Sequence, residues 1–136
     1  MITFFIRKNI IKNPGLIFGA SKVNLNTHFD MHHGYGNLDK AINLLDVEDR
    51  ENFRKYVNSS YEMNPHIMFI TRPEVAYKWF KSLFTWLEKC ESIFGFHELK
   101  GYDTTRIYAY LAERYLSYWF KEYSKYKEHP WTFIHH

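Results

Sequence analysis

Residues 106–119, RIYAYLAERYLSYW, decide how the rest of the chain is read. Ile107, Tyr108, Tyr110, Leu111, Tyr115, Leu116 and Trp119 recur at three- and four-residue spacing, the period of a helix with one broad apolar face. That pattern predicts the central helix of the fold. Arg106, Glu113 and Arg114 are set into it, and Arg106 and Glu113 stand seven residues apart, two turns along one side. Charges beside a packed face need partners. The sequence leaves two options open, an internal ion network or the polar wall of a site for a charged ligand such as a sugar diphosphate.

Upstream, Arg72-Pro73 opens a long helix, with proline in the first turn where its missing N–H costs least. Val75, Ala76, Trp79, Phe80, Leu83, Phe84, Leu87 and Ile93 give it a broad apolar face, and Gly95 is its natural stop. This helix is expected to pack on the central one. Residues 96–102 connect the two, and Asp103 or Thr104 caps the central helix, which is expected to continue through Lys121 toward Tyr126. Before the long helix, Asn64-Pro65-His66 introduces residues 67–71, whose apolar run predicts a strand buried on both faces. Asp46 reads as the N-cap of a surface helix, Val47–Ser59, with a narrow stripe of Phe53, Tyr56 and Val57.

Residues 26–45, NTHFDMHHGYGNLDKAINLL, predict two short helices broken at Gly34 and Gly36. Asn37 is the expected N-cap of the second, with Leu38, Ala41, Ile42 and Leu45 as its buried stripe. His28, Asp30, His32 and His33 crowd into the first, and the i,i+4 pair His28 and His32 has the spacing that lets two imidazoles share one ion. No zincin glutamate, cysteine pair or third ligand at fixed spacing accompanies them, so no metal site is expected from the sequence itself. The plainer reading is a polar helix face carrying one functional histidine. At the N-terminus, residues 2–6 read as a buried strand, Asn13-Pro14-Gly15 as a turn, and residues 16–20 and 22–25 as a second short strand.

These elements predict one helix-rich α/β domain over residues 1–136, with a few short strands packed on two long helices. Within it, residues 1–25 form a strand-containing segment, residues 26–128 a helical body and residues 129–136 a tail. Aromatic residues make up 20% of the chain, more than a core of this size needs, so some are expected to face a ligand or a partner. The net charge of +3 is dispersed, which argues against nucleic acid and leaves a phosphate-bearing small molecule compatible. Cys90 is the single cysteine and has no disulfide partner in the chain; packing is its expected role, in a reducing compartment. The N-terminal apolar run is too short for a membrane span and lacks signal-peptide features, so a cytoplasmic location is expected.

Four blocks then come in the order and approximate spacing of a known family. They are Phe29-x-x-x-His33-x-x-x-Asn37-Leu38, then Met68-Phe69-Ile70, then Trp79 through Leu87-Glu88, then Arg106 followed by Leu111-x-Glu113-Arg114 and Trp119. Over roughly residues 15–120 the chain resembles the C-terminal half of the glycosyltransferases encoded in bacterial capsular and exopolysaccharide clusters, long catalogued as a domain of unknown function. The resemblance implies transfer of a sugar from a nucleotide-sugar donor to a glycan acceptor, on a fold like the C-terminal part of a GT-A-like glycosyltransferase. It also implies Mn2+ or Mg2+ bound with the donor. Ile67 stands where that family has asparagine before Met-Phe-Ile, with Asn64 and His66 close by, and Asn37 stands where it has aspartate. The nucleotide-binding half and an Asp-x-Asp motif are missing from these residues, which predicts a companion chain supplying the donor half or a reduced relative.

Glycosyl transfer needs cations for the leaving diphosphate and, for inversion, a base for the acceptor hydroxyl. His33 and Asp30 are the candidate bases. Arg106 and Arg114 are the candidate phosphate cations, and Glu113, His66, Asn64 and Asn37 complete the expected substrate-binding set. Two other readings compete, a non-catalytic carbohydrate-binding module using exposed rings, and an oligomeric interaction module that buries its surplus aromatics against a second copy. A concave pocket around His33, Arg106 and Glu113 favours the transferase; a flat aromatic patch favours assembly.

Overall fold

The computed structural model describes residues 9–12, 15–16 and 23–130, so the expected strand at residues 2–6, most of that at 16–20, and the tail beyond residue 130 lie outside the described residues. Among the described residues eleven elements follow one another: β1 (Asn9–Lys12), β2 (Gly15–Leu16), α1 (Leu25–His33), α2 (Asn37–Ile42), α3 (Val47–Ser59), β3 (Glu62–Met63), β4 (Phe69–Ile70), α4 (Pro73–Phe94), α5 (Tyr102–Thr105), α6 (Ile107–Tyr123) and β5 (Tyr126–His129). The architecture is helix-rich α/β, with a three-stranded sheet ordered β4-β1-β5 and a two-stranded one pairing β2 with β3. Strand β1 runs antiparallel to β4 and parallel to β5.

Helix α6 is the centre of the core. Residues 114–120 are all buried, including Arg114 and Ser117, so the helix is enclosed on every side over two turns. Against it pack α4, through Trp79 and Phe120 at 6.3 Å and Trp86 and Tyr115 at 4.9 Å between ring centroids, and α3, through Phe53 and Tyr115 at 5.6 Å. The Trp86 indole N–H donates to the Ala41 carbonyl at 2.7 Å, which fastens α2 onto α4. Cys90 is fully buried and burial pushes its thiol up to about 12, in keeping with a packing role.

Punctuation residues set the ends of α4 as the sequence predicts. Pro73 occupies the first turn of α4, and Gly95 ends it with φ 59°. Asn24 caps α1 by accepting from the Thr27 N–H at 2.8 Å, in place of the strand expected at residues 22–25. Gly36, not Asn37, is the N-cap of α2. The Asn37 side chain instead donates from Nδ2 to the His33 carbonyl at 2.9 Å, closing the C-terminus of α1. Gly34 between them has φ 100°, and a Cβ there would collide with that same amide.

The structure departs from the sequence reading elsewhere as well. The strand at residues 67–71 contracts to β4, and Ile67, Met68 and Ile70 are exposed, because β4 is an edge strand with β1 as its one partner in the sheet among the described residues. The apolar face of α4 is narrower than expected, with Phe80, Phe84 and Ile93 exposed. The central helix begins at Ile107 and ends at Tyr123, after which the chain turns extended and β5 pairs with β1 from Asn9 and Tyr126 onward. The span expected as a helical body therefore contains three strands. Arg106 sits at the junction of α5 and α6 with φ −98° and ψ 18°, outside both helices and exposed.

Candidate functional site

Helices α1, α5 and α6 bring a cluster of histidines and arginines together. On α1, His28 and His32 lie one turn apart with ring centroids at 4.5 Å, and His33 is 6.4 Å from His28 and 6.1 Å from His32. Arg114 reaches into them from α6. Its guanidinium carbon lies 5.1 Å over the Phe29 ring, its Nη1 donates to the Tyr110 carbonyl at 3.2 Å, and its Nη2 contacts His28 Nδ1 at 3.0 Å. Arg114 is 1% exposed, and burial lowers its pKa to about 10, which leaves it a cation at neutral pH.

Partner chemistry fixes the imidazole tautomers. A guanidinium only donates, so His28 Nδ1 accepts from Arg114 and a neutral His28 carries its proton on Nε2. A carbonyl only accepts, so His33 Nδ1 donates to the Asp103 carbonyl at 3.2 Å and its Nε2 keeps the lone pair. Both rings stay neutral at physiological pH: burial first, then the Arg114 charge, hold each at about 4. The His33 ring also stacks on Tyr110 with centroids 3.9 Å apart and planes at 18°, and meets the Phe29 edge at 4.8 Å. His33 is thus a fixed, neutral base that is 4% exposed.

The other expected site residues take varied places. Asp30 accepts the Gly36 N–H at 2.9 Å and so serves the α1–α2 turn. Asn37 serves the same turn through the His33 carbonyl. Arg106 lies 5.1 Å over the Tyr102 ring and 5.8 Å over that of Tyr110, bonded to the Tyr102 hydroxyl, and is the exposed member of the arginine pair. Glu113 stands between Arg114 Nη1 at 3.8 Å and His66 Nδ1 at 4.0 Å, which brings the β3–β4 loop to the edge of the cluster. His66 holds a left-handed backbone, φ 60°, uncommon for a residue with a side chain. Asn64 is fully buried and turns toward α6 and β5: its N–H donates to Ser117 Oγ at 2.8 Å and its Nδ2 to Glu128 Oε1 at 3.2 Å.

The sequence reading missed two of these contacts, the Tyr110 ring and the Asp103 carbonyl on His33. Tyr110 is legible as the midpoint of Arg106-x-x-x-Tyr110-x-x-x-Arg114, a four-residue spacing that stacks all three along one face. The Asp103 carbonyl is a backbone group and leaves no trace in sequence. A divalent metal fits this donor set poorly. Among the described residues no three His, Cys, Asp or Glu side chains are placed to share an ion, and His28 Nδ1 is occupied by Arg114.

Among the described residues, two cavities open beside the helical core, and His33, Arg106 and Glu113 line neither, so the concave pocket expected to favour a transferase is not found in either. One, about 490 Å³, is an apolar groove beside the three-stranded sheet, lined by β4 together with Ile10, Ile11, His129 and Pro130. The other, about 210 Å³, is a polar cleft between α3 and α4. No helix among the described residues is long and apolar enough to cross a membrane.

Fold and cluster together define a helix-rich α/β protein with a buried arginine–histidine centre. Over residues 7–125 the chain matches the family described as Domain of unknown function (DUF4422), and it belongs to that family. No curated protein and no solved structure matches it.

Proposed function

We propose that the chain is a glycosyltransferase-like protein that moves a sugar from a nucleotide-sugar donor to a carbohydrate acceptor, on a fold related to the C-terminal part of GT-A-like enzymes. The observation behind this reading is the orientation of His33, whose Nδ1 is committed to the Asp103 carbonyl so that Nε2 is the ring's acceptor; the ring is 4% exposed, so the residues over it must move for an acceptor hydroxyl to reach it. In the proposed step Nε2 takes the acceptor hydroxyl proton as that oxygen bonds to the anomeric carbon, and the bond to the nucleoside diphosphate breaks. Arg106, exposed and steadied by two tyrosine rings, is the cation placed to meet the departing diphosphate. Arg114 acts behind the site, its charge adding to the burial that holds His28 and His33 neutral. Because the donor set does not suit a divalent ion, no step is assigned to one.

Thermal shift of the purified chain against UDP-, GDP- and CMP-sugars, with and without Mn2+, tests the reading. A donor present at about 100 times its Kd stabilises the fold by roughly 2.7 kcal/mol. One nucleotide class should raise Tm, and Arg106→Ala, at an exposed junction, should lose that rise while melting as wild type without ligand. No rise with any donor overturns the reading for this chain alone.

A second reading has its own observation. Ile67, Met68 and Ile70, on and beside β4, are exposed and line the apolar groove beside the three-stranded sheet. An apolar surface of this kind suits a protein interface. Sedimentation of the chain decides it: a concentration-dependent dimer that Ile70→Lys dissociates favours assembly.

A further inference from the structure

The His33 ring is held by groups from two other helices, and we infer that Tyr110 is its positioning residue, fixing the plane of the imidazole so that the Asp103 carbonyl can select which nitrogen carries the proton. This role rests on the transferase reading, because the ring is the proposed base. Tyr110 is the middle rung of Arg106, Tyr110 and Arg114, which succeed one another at four-residue spacing along α6 and its N-terminal junction. Its ring lies 3.9 Å from that of His33 with the planes at 18°, a near-parallel stack. Arg106 stands 5.8 Å and Arg114 6.0 Å from the centre of the same tyrosine ring. The Tyr110 hydroxyl lies 3.5 Å from Asp103 Oδ1, and Asp103 is the residue whose carbonyl accepts from His33 Nδ1.

The stack and the carbonyl do different work. The χ2 torsion of a histidine is broad and roughly two-fold, and a half-turn exchanges the two edges of the ring. A face-to-face stack fixes the plane but accepts either half-turn. A carbonyl only accepts, so Asp103 selects the half-turn and the tautomer with the proton on Nδ1, the minor form of an imidazole free in water. Phe29 meets the same ring edge-on at 66° and belongs to α1 itself, so it does not tie His33 to another element. The carbonyl needs placing in its turn. Helix α5 has four residues, none buried, and is entered at Gly101 with φ 84°, so no core side chain of its own pins it. The Tyr110 hydroxyl beside the Asp103 carboxylate links α5 to α6, and at 3.5 Å it is the weaker of the two Tyr110 contacts. A proton enters or leaves an imidazole nitrogen in the ring plane, so the stack can persist while the Nε2 edge is uncovered for an acceptor.

Long-range proton–nitrogen NMR of the full chain at neutral pH reads the tautomer, with the His33 signals identified by their loss in His33→Gln. Wild type should show a bare Nε2 and a protonated Nδ1. Tyr110→Leu should move both nitrogen shifts toward the average of the two tautomers, whereas Tyr110→Phe, which keeps the stack, should hold most of the wild-type pattern. A side chain that merely fills space would lower the melting temperature and leave the tautomer alone. Asp103→Ala, at an exposed position and with its carbonyl intact, should match Tyr110→Phe. A wild-type His33 protonated on Nε2, or already averaged, overturns the inference even if the leucine variant does not fold. A folded Tyr110→Leu with wild-type nitrogen shifts overturns it too, and equal displacement in the leucine and phenylalanine variants overturns the role of the stack. No sugar enters this measurement, so it separates from the donor panel. The expected tautomer response without any donor response sinks the transferase and leaves Tyr110 orienting His33; a donor response with an unmoved tautomer sinks the positioning role alone.

Discussion

Arg114 Nη2 donates to His28 Nδ1 at 3.0 Å, joining α6 to α1 through a bond between a buried cation and a neutral ring. The arrangement is only partly compensated. Glu113 lies 3.8 Å from Nη1, and Nε is buried with no hydrogen bond among the described residues. A buried charge so placed is costly, and it adds to burial, the larger cause, in holding the two imidazoles deprotonated.

Replacing Arg114 should separate those two effects. Arg114→Ala removes the guanidinium and leaves a cavity beside Phe29, with an expected loss of about 3–5 kcal/mol in urea unfolding. Arg114→Met fills the same space without charge and should cost no more than about 1–2 kcal/mol. In the Met variant the pKa values of His28 and His33 should rise from about 4, yet stay below 6.5, because burial is the larger cause of their depression. Histidine ring NMR across pH reads this directly, and unchanged values would remove Arg114 from the site's electrostatics.

The same depressed histidines set a pH dependence. In the unfolded chain they bind protons near pH 6.5, in the folded chain near 4, so between those values the unfolded state holds more protons. Their contribution is therefore complete above about pH 6.5 and is lost as pH falls toward 4. A tenfold change in proton affinity is worth about 1.4 kcal/mol for a group out of reach of solvent, and His28 is partly exposed, so the pair should contribute a few kcal/mol at most. Melting temperature should fall between pH 7 and 4.5, and His33→Gln should flatten that fall.

Much of this architecture is written locally in the chain. Pro73, Gly95, Gly34 and Gly36 mark helix ends by backbone chemistry alone, and the apolar period of α6 announces the core helix. The strands are harder to read because their burial depends on remote neighbours. Residues 67–70 look doubly buried until strand order places β4 at an edge, and β5, reading YKEH, has little strand character until β1 lies beside it. In the candidate site, the crowding of His28, His32 and His33 is visible as spacing. The roles of Asp30 and Asn37 are not, since both are spent on the turn created by Gly34 and Gly36.

Trp79 tests the core. It is fully buried against Phe69 at 5.2 Å and Phe120 at 6.3 Å, and its indole N–H has no partner among the described residues. Trp79→Ala should cost about 3–5 kcal/mol as a large core truncation. Trp79→Phe should cost distinctly less, because it discards an unsatisfied buried donor along with the lost ring. Equal losses in urea unfolding would mean that the N–H is satisfied in solution.

Asn37 tests whether the chain departs from the resembled family by chance or for a structural reason. Its Nδ2 donates to the His33 carbonyl at 2.9 Å, at the end of α1 where carbonyls lack helical partners. Asn37→Ala removes that bond and should cost about 1 kcal/mol. Asn37→Asp restores the residue expected from the resemblance, but a carboxylate cannot donate and would set negative charge against a carbonyl at the negative end of a helix. It should therefore cost more than the alanine change, by roughly 0.5–1 kcal/mol, and should disturb His33, whose own backbone carries the acceptor. If Asn37→Asp instead equals or exceeds wild-type stability, the amide contact does not hold α1 to α2, and the aspartate of the resembled family would be compatible with this turn.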